Sequence, residues 1–250
     1  MNKKSSKKNI TSDADGEQNG NNILVYKYDD IDFDNIEVSD FNDGGRQRLA
    51  YLNYNNPDMN IQTKILIKTD TIKLTSHGIP PISKPDAPEK EKFVKCDADR
   101  EFIKIPLDKD QASCRKLRKH LEAVDKWLGS KKMRVKLFEE NAESYKYQPC
   151  IRTPMPMPGK KKKMDRNGKE YPIVDYTKMK FHMTGDTQGK LMLTKLKKID
   201  KNKKILIKAT TVTDVANEIR YGSEIRFIFY YNKIWVSSKY EYGLGVLIHG

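Results

Sequence analysis

Four consecutive lysines, Lys160 to Lys163, sit in a segment of proline and glycine that runs from Thr153 to Glu170. Lys178 and Lys180 follow, alternating with Met179 and Phe181, and then comes a second cluster of Lys195, Lys197, Lys198, Lys201, Lys203 and Lys204. Ammonium groups at this density displace counterions from phosphates. The stretch from Ser223 to Gly250 is rich in flat side chains: Phe227, Phe229, Tyr230, Tyr231, Trp235, Tyr240 and Tyr242. Arg226, Lys233 and Lys239 lie among them. Aromatic faces beside cations suit unpaired nucleobases and their phosphates.

The same aromatics also suit a protein core. Ile225, Phe227, Phe229 and Tyr231 alternate with Arg226, Ile228 and Tyr230, which is the period of a half-buried strand. Phe227 and Phe229 are therefore expected inside. Tyr230, Tyr240 and Tyr242 keep a polar tip that tolerates water, and Trp235 fits either role. The expected phosphate contacts are Lys160, Lys161, Lys162, Lys163, Lys178, Lys180, Lys195, Lys197, Lys198, Lys203, Lys204 and Arg226. The expected stacking residues are Phe181, Tyr230, Trp235 and Tyr240.

Other chemistries find less support. Asp29, Asp30, Asp32, Asp34, Glu37, Asp40 and Asp43 form the kind of acidic cluster that two-metal phosphoryl transfer requires. However, Ile31, Phe33, Ile36 and Val38 alternate among them, as in a strand with one solvated face. Gly185 to Lys190 resembles a phosphate loop, but three residues separate its glycines and Leu191 stands where Ser or Thr should bind magnesium. Four scattered histidines and three unpaired cysteines, Cys96, Cys114 and Cys150, give no metal-binding spacing. No catalytic residue, metal or cofactor is expected. The odd cysteine count fits reduced thiols inside a cell.

The chain has 250 residues and a net charge of +14, which favours a polyanionic partner. Residues 152–208 carry 17 Lys/Arg against 5 Asp/Glu, so nearly all the excess lies in one block. No apolar run approaches the ~20 residues of a membrane span, and no membrane partner is expected. Residues 1–22 have almost no apolar content and read as a disordered basic arm, leaving 23–250 as a single domain.

Strands are expected at 23–26, 61–74, 102–107, 133–138, 145–152, 173–183 and 205–212, while Arg46 to Tyr54 mixes Leu49, Tyr51, Leu52 and Tyr54 with Arg46 and Arg48. In the final stretch, Asn232-Lys233 reads as a two-residue turn after which Ile234-Trp235-Val236 runs back. One long helix is expected over 109–128, where Leu117, Leu121, Val124 and Leu128 recur at helical spacing and Gly129 follows. The cations Arg115, Lys116, Arg118 and Lys119 on it read as a solvated face. A short helical turn is expected over 214–220. The fold class is mainly β: an antiparallel barrel or sandwich with one inserted helix and basic loops.

Gly222-Ser223, Arg226-Phe227-Ile228, Asn232-Lys233-Ile234-Trp235 and Tyr242-Gly243 resemble the C-terminal half of a known family. It is the phage-type single-stranded DNA-binding proteins of large eukaryotic DNA viruses. Arg46 to Asn53, Ile61-Gln62-Thr63 and the helix 109–128 are similar in order and spacing. The resemblance implies an OB-fold barrel with added strands and an inserted helix. It also implies a non-enzymatic protein that coats unpaired strands in viral DNA replication and recombination. Replication proteins such as polymerase and helicase would be its partners, in a viral replication compartment or the nucleus of the infected cell. Phage members end in an acidic tail, whereas this sequence stops at Gly250 in an apolar run; it is either truncated or regulated differently. A competing expectation is a structural virion or packaging protein that binds duplex nucleic acid without needing exposed aromatics.

Overall fold

A computed structural model describes residues 24–42, 47–86, 93–154, 164, 167–168, 170, 172–184, 191–201 and 203–250. In chain order the strands are β1 (Val25–Tyr26), β2 (Ile36–Val38), β3 (Arg48–Asn56), β4 (Ile61–Thr63), β5 (Leu66–Lys68), β6 (Ile72–Lys73), β7 (Phe102–Pro106), β8 (Lys146–Gln148), β9 (Ile151–Arg152), β10 (Tyr176–Phe181), β11 (Leu196–Asp200), β12 (Lys203–Ile207), β13 (Glu224–Ile225), β14 (Ile228–Val236) and β15 (Glu241–Ile248). The α-helices are α1 (Ala112–Leu128), α2 (Lys131–Phe138) and α3 (Val212–Glu218).

Among the described residues, eleven strands form one mixed sheet whose main path is β1-β5-β14-β15-β10-β7. The register sorts its two faces. Phe181, Ile248, Phe229, Ile67 and Tyr26 stand opposite one another across five strands, and all are buried. The adjacent row is Phe102, Lys180, Leu247, Tyr230, Leu66 and Val25. Successive side chains on a strand point to opposite faces, so this second row lies on the other side of the sheet. The inner face is closed by α1, which buries Cys114, Leu117, His120, Leu121, Val124 and Leu128.

The mainly β expectation holds, but the sheet is not purely antiparallel: β1–β5, β10–β15 and β15–β8 are parallel pairs. No closed barrel is formed among the described strands. Three local expectations are corrected. Asn232-Lys233 is not a turn: β14 continues through it with a register shift between Tyr231 and Lys233. The reversal falls at Ser237 to Tyr240, where the Ser237 Oγ accepts from the Lys239 and Glu241 amides. Residues 133–138 are helical rather than extended, because the Ser130 hydroxyl caps α2 by accepting from the Met133 amide at 3.1 Å. Extended structure in 205–212 ends at Ile207, and Val212 begins α3. The arm 1–22 lies outside the described residues.

Helix α1 is held to the sheet by its polar groups as well as its apolar stripe. Asp125 Oδ1 accepts from the Tyr147 hydroxyl at 2.7 Å and the Cys150 amide at 2.8 Å, pinning the chain around β8 and β9. Arg118 donates to Asp175 at 2.7 Å just before β10, and Lys116 pairs with Asp70 at 2.7 Å. These helix cations are thus engaged within the fold.

His120 is buried against Tyr28 and Phe33, with a hydrogen bond of 2.5 Å between its Nε2 and the Tyr231 hydroxyl. Burial holds its pKa down at about 4, against 6.5 for a free imidazole. Above pH 6.5 the ring is neutral in both states. Between 6.5 and 4 the unfolded chain takes up a proton that the folded one refuses, so stability falls as pH falls. The expected loss through this residue is about 3 kcal/mol, taking ~1.4 kcal/mol per unit. Denaturant melts at pH 7 and pH 4 check it: wild type should lose that much more stability than His120→Gln. Equal losses would mean that the imidazole titrates freely in the native state.

Candidate nucleic-acid interface

The outer face of the sheet gathers the cations that sequence alone left scattered. On β7 and β10, Lys104 stands opposite Lys178 and Phe102 opposite Lys180. Arg152 on β9 stands opposite Tyr176. Lys178 Nζ lies 3.7 Å from the centroid of the Phe102 ring, and Lys104 Nζ lies 4.9 Å from that of Tyr176. The rings thus carry the lysine heads while the stems lie on the sheet. None of Lys104, Lys178, Lys180 and Arg152 pairs with a carboxylate among the described residues. Half-burial, reinforced by Arg152, Lys180 and Lys104, pulls the Lys178 ammonium down to about 8. Uncompensated positive charge on a half-buried lysine is what an incoming anion relieves.

The same face continues across β15, β14 and β3. Tyr51, Lys233 and Gly245 form one row; Leu49, Trp235, Gly243 and Gln148 form the next. A Cβ on Gly243 would fall 2.7 Å from Cζ2 of Trp235, so the absence of a side chain lets the indole lie against the strand backbone. Tyr51 is exposed beside it. Flat rings and cations therefore occupy neighbouring positions on one sheet surface.

At its far end this face is roofed. The Tyr230 ring meets His182 edge-on at 6.1 Å, and Lys64 Nζ lies 5.9 Å from its centroid. Burial, together with Lys195, His182 and Lys64, lowers the pKa of nearby His249.

The expected site residues separate accordingly. Lys178, Lys180 and Trp235 lie on the outer face. Lys195 flanks its roofed end, where its amide donates to the His249 carbonyl. Lys197, Lys198, Lys203 and Lys204 belong to the β11–β12 hairpin. Arg226 is exposed and donates to the Thr71 hydroxyl at 3.3 Å. Two expectations are corrected. Phe181 is 4% exposed in the inner row and presents no ring to a base. Tyr230 lies on the outer side, as its alternation requires, but it is 7% exposed beneath the roof and offers no open stacking surface. Tyr240 is exposed in the β14–β15 turn, edge-on to Tyr145 at 5.4 Å, in a separate cluster. Lys160, Lys161, Lys162 and Lys163 lie outside the described residues.

Over 275 aligned positions the chain is 39% identical to uncharacterized protein R505 of Acanthamoeba polyphaga mimivirus. The match takes in 99% of this chain and 64% of that protein, so the chain spans less than two thirds of its relative's length. No family model matches the sequence. A relative in a virus agrees with the viral part of the resemblance drawn from the sequence.

Sequence reasoning missed Lys104, Arg152, Tyr176, Phe102 and Tyr51, and noted Lys233 only as a cation among the aromatics. The signal was present in part: in Phe102-Ile103-Lys104-Ile105 the alternation sets Phe102 and Lys104 together, opposite two buried isoleucines. The acidic stretch serves local structure, since Asp32 Oδ1 accepts from the Asp34 amide and Asp30 Oδ2 from that of Lys27. Among the described residues no group of three or more His, Cys, Asp or Glu is placed to hold a metal, and no helix is long and apolar enough to cross a membrane.

Proposed function

We propose that this chain binds single-stranded nucleic acid, without catalysis, across the outer face of its sheet. The observation that carries the reading is the register-defined surface on which Lys104, Lys178, Lys180, Arg152 and Lys233 alternate with Phe102, Tyr176, Trp235 and Tyr51. The cations neutralise phosphates while the half-buried Trp235 and the exposed Tyr51 stack bases without reading sequence. A role in coating strands during viral DNA replication and recombination, beside polymerase and helicase, follows from the resemblance and from the viral relative. An elaborated OB-type sheet is the architecture we infer. Its support is that β14 pairs first with β5 and then with β3, and β15 first with β8 and then with β10, as strands of a coiling sheet do.

The test is equilibrium binding to a single strand and to a duplex of equal length across a salt series. With about five phosphates neutralised, log affinity should fall against log salt with a slope near −3.5, at ~0.7 per contact. Single strands should bind more tightly than duplex at every salt concentration. Equal affinity for both forms would favour a packaging protein instead, and a flat salt dependence would remove the electrostatic mechanism altogether.

A further inference from the structure

The β11–β12 hairpin stands apart from the main sheet, its strands pairing, among the described residues, only with each other. Its register sorts its faces as well. Leu196, Lys198 and Asp200 face the same way as Ile207, Ile205 and Lys203; Lys197 and Ile199 share the other face with Leu206 and Lys204. The first face touches the protein only at its root: Leu196 packs against the core and Lys198 pairs with Glu218 of α3 at 3.5 Å, while Ile205 farther along is 46% exposed. The second face carries Ile199, 73% exposed, and Leu206, 62% exposed, set diagonally with Lys197 and Lys204 beside them. Two large aliphatic groups held in water on a projecting ribbon call for a partner surface.

Charge narrows the partner. Five lysines and one aspartate lie between Leu196 and Ile207, so a second copy of the ribbon would be repelled and a polyanion attracted. The root is placed beside the outer face. Thr194 donates from Oγ1 to the Ile248 carbonyl at 2.8 Å and accepts there from the His182 amide at 2.8 Å; the Lys195 amide donates to the His249 carbonyl. The ribbon thus springs from the end of β15 and β10, next to the row that holds Lys180. We infer that it is a wedge: Ile199 and Leu206 enter between base steps where a duplex borders the single strand lying on the sheet, and Lys197 and Lys204 hold the flanking phosphates. Aliphatic side chains inserted at base steps unstack them in this way. The inference rests on the proposed single-strand binding and adds to it a preference for junctions.

The experiment compares wild type with the double substitution Ile199→Ser, Leu206→Ser, both on the exposed hairpin face, so that the fold is untouched. Probes are a forked DNA, a single strand equal to its tail, and the duplex alone, with a fluorescent base analogue at the junction. Wild type should bind the fork at least tenfold more tightly than the tail and brighten the junction base. The variant should bind the tail within twofold of wild type while losing the fork preference and the brightening. A wild type that binds tail and fork equally overturns the wedge but leaves single-strand binding standing. Loss of binding to all three probes would instead remove the reading on which it rests. A wild type that sediments as a dimer and a variant that sediments as a monomer would show the two aliphatics to be a self-association surface, and would also overturn the wedge.

Discussion

Replacing Lys104, Lys178 and Lys180 together by glutamine should weaken single-strand binding about a hundredfold at 0.1 M salt. Each lost phosphate contact removes ~0.7 from the salt slope, which at 0.1 M is about fivefold in affinity, and three such contacts multiply. The slope itself should flatten by about 2. Glutamine keeps an aliphatic stem on the sheet beside Phe102 and Tyr176, so the fold should not suffer. Thermal stability should hold or rise slightly, because three like charges crowd this surface together with Arg152. Unchanged affinity would place the binding track elsewhere, with the hairpin lysines first in line.

The same site predicts a pH dependence of binding. Lys178 titrates at about 8, against 10.5 for a free lysine, so it begins to lose its charge just above neutrality. Wild-type affinity should therefore drop between pH 7 and pH 9, while Lys178→Arg, charged throughout, should hold its value over that range. For stability the sign is opposite. Between pH 8 and 10.5 the unfolded chain holds a proton that the folded one releases, so the native state gains as pH rises. A parallel drop in affinity for wild type and Lys178→Arg would show that Lys178 is not in the track.

What could be read without coordinates followed the range of the interactions. Helix α1 was legible because Leu117, Leu121, Val124 and Leu128 repeat within one segment. The inner side of β14 was legible as far as Tyr231, and then the phase slips. Phe229 and Tyr231 are followed inside by Ile234 and Val236, a spacing of three that a bulge creates and that a polar Asn232-Lys233 pair disguises as a turn. Residues 133–138 misled for a related reason: in so short a run helix and strand periods cannot be told apart, and only the Ser130 cap decides. The outer face was not legible as a surface. Its cations come from β7, β9, β10 and β14, which are far apart in sequence, and only the pairing register brings them together. Phe181 was a different error. The alternation that sets Lys178 and Lys180 on one side sets Met179 and Phe181 on the other, and the aromatic ring was weighed above its own strand.

The second large effect separates the two aromatic classes within one protein. Phe181→Ala should cost about 3–5 kcal/mol of stability, the usual toll for emptying a core aromatic site. Phe181 stands in the buried row with Ile248 and Phe229, and the neighbouring strands cannot collapse onto the gap without breaking the register of β10 and β15. Whatever fraction remains folded should bind single strands as wild type does, since Lys180 and Lys178 stay in place. Trp235→Ala should behave the other way. The indole lies over Gly243 on the outer face and is only partly buried, so its removal should leave the domain folded. Binding should fall by the ~1–3 kcal/mol that one stacked base contributes, about five- to 150-fold. Melting temperature and affinity measured on both variants decide the matter jointly. A Trp235→Ala protein that melts far below wild type yet binds normally when folded would make the indole a packing residue of the outer sheet, and base stacking would then have to rest on Tyr51, which is exposed in the adjacent row.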